Sequence, residues 1–218
     1  MKQLSLIFVF VACFSFTGKA QIDLDYWGLK FGLSLPSVQD NSGSELGLTT
    51  RVTYHFGAFK SFQINSFLSF KTELMYSEKG GRKRPPNIFI GIINPYEVRT
   101  RYVTLPLIAQ ASYDRLYMEV GIEPGVQVNV KVINDNAGFD TDMIAESWTN
   151  SFDLNAVFGI GVYDDISGFE ANIRYLPSIT KASNEINVVD DNGQVIGTER
   201  FGRNQVYQVS VSYRFGGQ

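Results

Sequence analysis

Asn204-Gln205-Val206-Tyr207-Gln208-Val209-Ser210-Val211-Ser212-Tyr213-Arg214-Phe215 decides how this chain is read. Tyr207, Val209, Val211, Tyr213 and Phe215 fall on one side of an extended strand, and Gln208, Ser210, Ser212 and Arg214 on the other. Successive strand side chains point to opposite faces, so a polar and an apolar face result.

The same alternation recurs seven times upstream. Trp27, Leu29, Phe31, Leu33 and Leu35 oppose Gly28, Lys30, Gly32 and Ser34 between about Trp27 and Leu35. Near Thr49 to Phe59, Val52, Tyr54, Phe56 and Ala58 oppose Arg51, Thr53, His55 and Gly57. A third strand, Ser66 to Ser77, sets Leu68, Phe70, Leu74 and Tyr76 against Ser69, Lys71, Glu73 and Ser77. Arg99 to Tyr113 forms the fourth, in which Pro106 interrupts the pattern and is expected to mark a bulge. Leu116 to Val128, Phe152 to Val162 and Phe169 to Tyr175 complete the set, with Glu119, Glu123, Asp153, Glu170, Asn172 and Arg174 on the polar side. Eight alternating strands predict an all-β fold, an eight-stranded antiparallel up-and-down barrel.

Periodicity does not tell which face points outward, and a lipocalin-like soluble barrel shares the pattern. Two features favour a transmembrane barrel with its apolar face outward. Charges of both signs, interspersed with glycines, occupy the polar face: Lys30, Arg51, Lys71, Glu73, Glu119, Glu123, Asp153, Glu170, Arg174 and Arg214. They read as a paired network filling a narrow interior. Connections also alternate, short near Phe62–Asn65, Asp114 and Asp164–Ser167, and long near Pro36–Leu48, Lys79–Val98, Lys131–Asn150 and Thr180–Arg203. Short periplasmic turns with long extracellular loops place both termini on the periplasmic side. The C-terminal strand, ending on Phe215, then resembles the insertion signal of outer-membrane barrels, carried by Tyr207, Val209, Val211, Tyr213 and Phe215.

The N-terminus fits export. Lys2 precedes an apolar stretch from Leu4 to Phe16, and Gly18-Lys19-Ala20 offers small residues where a signal peptidase reads. Residues 1–20 are therefore expected to be a cleaved signal peptide and 21–218 the outer-membrane barrel domain. The stretch is shorter than the roughly 20 residues of a membrane helix. Cys13, the one cysteine, raises lipidation as a rival, but Phe10-Val11-Ala12-Cys13 matches a lipoprotein signal poorly. Its removal leaves no thiol for disulfides or thiolate metal sites. The net charge of −3 becomes more negative when Lys2 and Lys19 leave, so nothing points to nucleic acid.

Four segments carry a family likeness. Glu73-Leu74-Met75-Tyr76-Ser77-Glu78-Lys79-Gly80 resembles the "ELLYSQKG" strand end of PorT-like outer-membrane barrels of Bacteroidetes. Val103-Thr104-Leu105-Pro106-Leu107-Ile108 resembles their "LEIPLLLK", Met118-Glu119-Val120-Gly121-Ile122-Glu123-Pro124-Gly125 their "LEAGPYLG", and Gly28-Leu29-Lys30-Phe31-Gly32 their "GLKGGLN". The likeness runs through residues 21–218 in order and describes strands; none of its motifs is catalytic. It implies an integral outer-membrane barrel, and its name-giving member is implicated in type IX protein secretion.

Residue chemistry points away from catalysis. The sole histidine, His55, is expected on the inward face near Arg51 and Glu73 as a structural group. The inward carboxylates are matched by cations, so an interior ion network accounts for them without a lipid-modifying activity. No cofactor or metal site is expected. An eight-stranded barrel is too narrow for a general diffusion pore. Among the loops, Arg82, Lys83 and Arg84 head the densest basic run, read either as a contact for lipopolysaccharide phosphates or an acidic partner, or as a solvated loop. Asp135, Asp140, Asp142 and Glu146 are open to calcium or to pairing with that basic run. Val188 to Ile196 reads as a hairpin turned at Asn192-Gly193, extending strands seven and eight beyond the membrane. The expected partners are outer-membrane lipid, the barrel assembly machinery during insertion, and a secretion-system or surface protein. An adhesion or surface-binding role is the alternative function.

Overall fold

The computed structural model describes residues 25–39, 48–83, 96–134, 150–181, 186–189, 195–199 and 202–215. The signal-peptide assignment lies outside them.

The wall is built from β1 (Tyr26–Gln39), β3 (Thr53–Gln63), β4 (Leu68–Lys83), the colinear pair β5 (Tyr96–Thr104) and β6 (Leu107–Tyr113), β7 (Leu116–Asn134), β8 (Phe152–Tyr163), β9 (Phe169–Pro177) and β12 (Arg203–Phe215). A two-residue β2 (Leu48–Thr49) pairs with the far end of β4. Each strand pairs antiparallel with its neighbours, and β12 closes on β1 from Trp27 opposite Phe215 to Gln39 opposite Arg203. Counting β5 and β6 as one strand, the sheet is a closed eight-stranded antiparallel barrel. Closure removes the unpaired edge that an open sheet would expose.

The distribution of side chains is inverted relative to a water-soluble barrel. Phe31 is 58% exposed while neighbouring Lys30 is 2% exposed, and Trp27, Leu29, Leu33 and Leu35 share the outer face. On β12, Tyr207, Val209, Val211 and Tyr213 are exposed while Gln208, Ser210 and Ser212 are buried. Aromatic groups gather at both ends of this belt: Trp27 stacks on Phe215 at 4.3 Å at one end, and Tyr175 on Tyr207 at 4.9 Å at the other. An apolar exterior with aromatic rims suits hydrocarbon, not water, and excludes the lipocalin-like arrangement.

Short turns join the strands at the end where β1 begins and β12 finishes. Asp114, with φ 53°, turns β6 into β7 within two residues. Asn65 Oδ1 accepts the Phe67 and Leu68 amides at 2.9 and 2.8 Å. Between β8 and β9, the Gly168 amide donates to Asp164 O at 2.9 Å, and φ of 74° at Gly168 requires glycine there. Hydrogen bonds from Ser167, its hydroxyl first, hold the exposed Asp164 carboxyl below its ordinary range.

Several strand limits differ from the sequence reading. β4 runs through Lys83, β5 starts at Tyr96 and β7 reaches Asn134, so the wall climbs into stretches read as loops. Pro106 does separate β5 from β6, but without a bulge: Thr104 and Leu107 keep a constant register against both β4 and β7. The register shift instead falls between Arg101 and Tyr102. β10 (Ile186–Val189) and β11 (Val195–Glu199) form the expected hairpin as a separate two-stranded sheet, not as continuations of β9 and β12; Asn192-Gly193 lies outside the described residues.

Candidate functional site

Alternation aims one side chain in two into the lumen of an eight-stranded barrel, which side chains can fill, and the charged groups there pair with one another. Arg174 on β9 is the hub. Its guanidinium meets Glu73 on β4 through two contacts of 2.7 Å and Glu119 on β7 at 2.6 and 3.0 Å. Lys30 on β1 donates to Glu73 at 2.6 Å, and Asn172 to Glu119 at 3.2 Å. Lys71 lies 3.1 Å from Glu170 and 3.6 Å from Glu119, and Arg214 Nε is 3.4 Å from Glu170. Aromatic faces complete the packing: Lys71 sits over the Phe59 and Tyr117 rings at 4.8 and 5.3 Å, and Arg214 over Tyr163 at 4.6 Å. The network ties β1, β4, β7, β9 and β12 across the barrel.

Glycines supply the room. The Phe59 ring lies over Gly28, the Tyr117 ring over Gly161, and the His55 ring over Gly32, each at a distance a Cβ would close to 2.6 Å or less. His55 thereby crosses β1 to reach β12. Its Nδ1 lies 2.8 Å from Ser34 Oγ and its Nε2 2.8 Å from Ser210 Oγ. Its ring nitrogens therefore meet serine hydroxyls, and among the described residues no carboxylate hydrogen-bonds it.

A second cluster lies nearer the long-loop end. Lys79, 1% exposed, donates to Asp153 at 2.7 Å and to Glu123 at 3.4 Å, over the Tyr102 ring. Asn155 donates to both carboxylates, and Ser178 donates to Asp153 at 2.7 Å. The sequence reading ended this strand at Ser77 and placed Lys79 in a surface loop. That is corrected: β4 continues, and the alternation Glu73, Met75, Ser77, Lys79 turns Lys79 inward. The signal was present, but Gly80-Gly81 reads as a strand terminator.

Arg51 also departs from expectation. Thr49 pairs with Arg82 and His55 with Ser77, so the β2–β3 line holds one more residue than β4 between those pairs. The extra residue inverts the alternation, and Arg51 pairs with Glu78 instead of joining the lumen network. Glu78 lies between lumen-facing Ser77 and Lys79, and opposite Arg101, whose Nε is 3.6 Å from it. The remaining network residues, Lys30, Lys71, Glu73, Glu119, Glu123, Asp153, Glu170 and Arg174, are buried, and Arg214 is half-buried. Arg82 and Lys83 fall on the backbone of β4; Arg84 and the acidic residues Asp135, Asp140, Asp142 and Glu146 lie outside the described residues.

No curated protein matches this chain. Three solved structures are similar at low identity. Neisserial surface protein A is 10% identical with a TM-score of 0.48, over 88% of this chain and 97% of that one. Ail, the attachment invasion locus protein of Yersinia pestis, is 9% identical with a TM-score of 0.45, over 88% and 99%. Outer membrane protein W of E. coli is 15% identical with a TM-score of 0.43, over 89% and 100%. Residues 20–184 match the family described as outer membrane protein beta-barrel domain, and with a closed, apolar-sided barrel to go with that match, the chain belongs to this family and is an integral protein of the outer membrane.

Proposed function

We propose that this barrel works without catalysis, as a structural and protein-interaction element of the outer membrane, and that its specific role is support of protein secretion. The observation that carries the first part is the filled lumen: Arg174, Glu73, Glu119, Lys71 and Glu170 spend their hydrogen-bonding capacity on one another, away from solvent. His55 is similarly held between Ser34 and Ser210. The secretion role rests on the PorT-like strand motifs around Glu73–Gly80 and Met118–Gly125. Both termini would face the periplasm, and the long-loop end, with the β10–β11 hairpin, would meet a secretion-system or surface partner. That hairpin also supports the alternative of a surface-binding barrel.

Deletion of the gene, with a complemented control, tests the role through the secreted and cell-surface proteome. Selective loss of type IX cargo, restored by complementation, is expected. Unchanged secretion would overturn the secretion role and leave surface binding.

A further inference from the structure

Two register irregularities sit beside the Glu78–Arg101 pair, one on each side. The β2–β3 line carries its extra residue between Thr49 and His55. In β7, Tyr102 faces Gln127 while Arg101 faces Asn129, which leaves Val128 as the extra residue. Unbroken alternation from His55 and from Glu123 would send Arg51 and Lys131 into the lumen. The two bulges reverse both, bringing them to the outside of the wall.

The result is a cluster of cations on the outer face. Arg51 and Arg101 close on Glu78 from either side, and Arg101 Nη1 donates to Asn129 Oδ1 at 3.5 Å. Lys131 is exposed and stands opposite the half-buried Arg99 in the β5–β7 ladder. Gly80, opposite Arg99 on β4, adds no side chain there. In the β4–β5 ladder the backbone of Glu97 stands opposite that of Arg82. One outward position below stand Tyr76, Val103 and Val126, the upper edge of the apolar belt. Outward positions recur about every 7 Å along a strand, so the cations stand at headgroup height immediately above the acyl layer.

We propose that Arg51, Arg99, Arg101 and Lys131 dock the phosphate of an outer-leaflet glycolipid, a phosphorylated disaccharide of the lipid A kind, with its acyl chains on the belt below. Continuity with the lipid-facing surface selects a lipid over a soluble acidic protein. Arginine forks match phosphate oxygens in pairs. The assignment rests on the long-loop end being extracellular.

Native mass spectrometry of the purified full-length barrel reads the retained lipid directly. The probes are bis-phosphorylated lipid A, its dephosphorylated form and phosphatidylglycerol. Arg99→Gln combined with Lys131→Gln leaves the Arg51–Glu78–Arg101 group intact, and Lys60→Gln at the other end is the control. The double variant should retain bis-phosphorylated lipid A about tenfold less well, with heat-modifiability unchanged. Lys60→Gln should match wild type, and dephosphorylated lipid A should not separate the variants. Equal retention by wild type and the double variant overturns the site, as does an equal loss with the dephosphorylated lipid. Retention of phosphatidylglycerol as strong as that of lipid A overturns the glycolipid assignment and the extracellular placement with it.

Discussion

The imidazole of His55 lies over Gly32, where a Cβ would come within 2.6 Å of the ring and 2.3 Å of Val209 O. The absence of a side chain at position 32 lets a histidine on β3 pass over β1 and meet Ser210 on β12. Gly32→Ala would therefore press on the ring and on the backbone of β12. A loss of about 1–3 kcal/mol is expected for this overpacking, read as a lowered urea midpoint in micelles. An unchanged midpoint would show that the ring has room to move aside.

Arg174→Met should be far more damaging than its location on an internal wall would suggest. It strips both Glu73 and Glu119 of their two-pronged partner and leaves Lys30 and Lys71 to neutralise them. Breaking a buried network by removing one partner costs about 3–5 kcal/mol. Arg174→Lys should recover only part of that loss, since an ammonium lacks the fork. Full stability of either variant in the same unfolding assay would contradict the hub role.

Val211 projects into the belt beside Phe31, its partner in the β1–β12 ladder. Val211→Arg, like Val209→Arg, should cost roughly 2–4 kcal/mol near mid-membrane. Ser210→Arg points the other way, toward His55, and should assemble only with rearrangement of the interior. Equal heat-modifiability of Val211→Arg and wild type would refute the outward face.

Planar bilayers should show no steady conductance. The lumen is crossed by the Arg174 network and, nearer the loops, by Lys79 with Glu123 and Asp153. Steady currents in the nanosiemens range would overturn the filled interior.

Strand identity was legible because a period of two survives along the strands, and most of the polar set from Lys30 to Arg214 could be named from it, Arg51 and the unnamed Lys79 excepted. Legibility failed at two kinds of place. Gly80-Gly81 looked like an ending because glycine is poor in strands, yet pairing with β5 carries β4 through it. The periodicity puts Arg51 on the inward face and Lys131 in a loop, and both differ in the structure because one extra residue reverses facing while leaving the local sequence looking regular.

The sequence by itself determined that this chain makes alternating strands, and that each has one apolar and one charged face, because both follow from local side-chain order. Which charges pair is a different matter. Arg174 meets Glu73 across 101 positions of chain, and His55 meets Ser210 across 155. Those distances are set by ring closure, register and bulges. Each is a relation between strands that no single strand encodes, and only the closed barrel decided them.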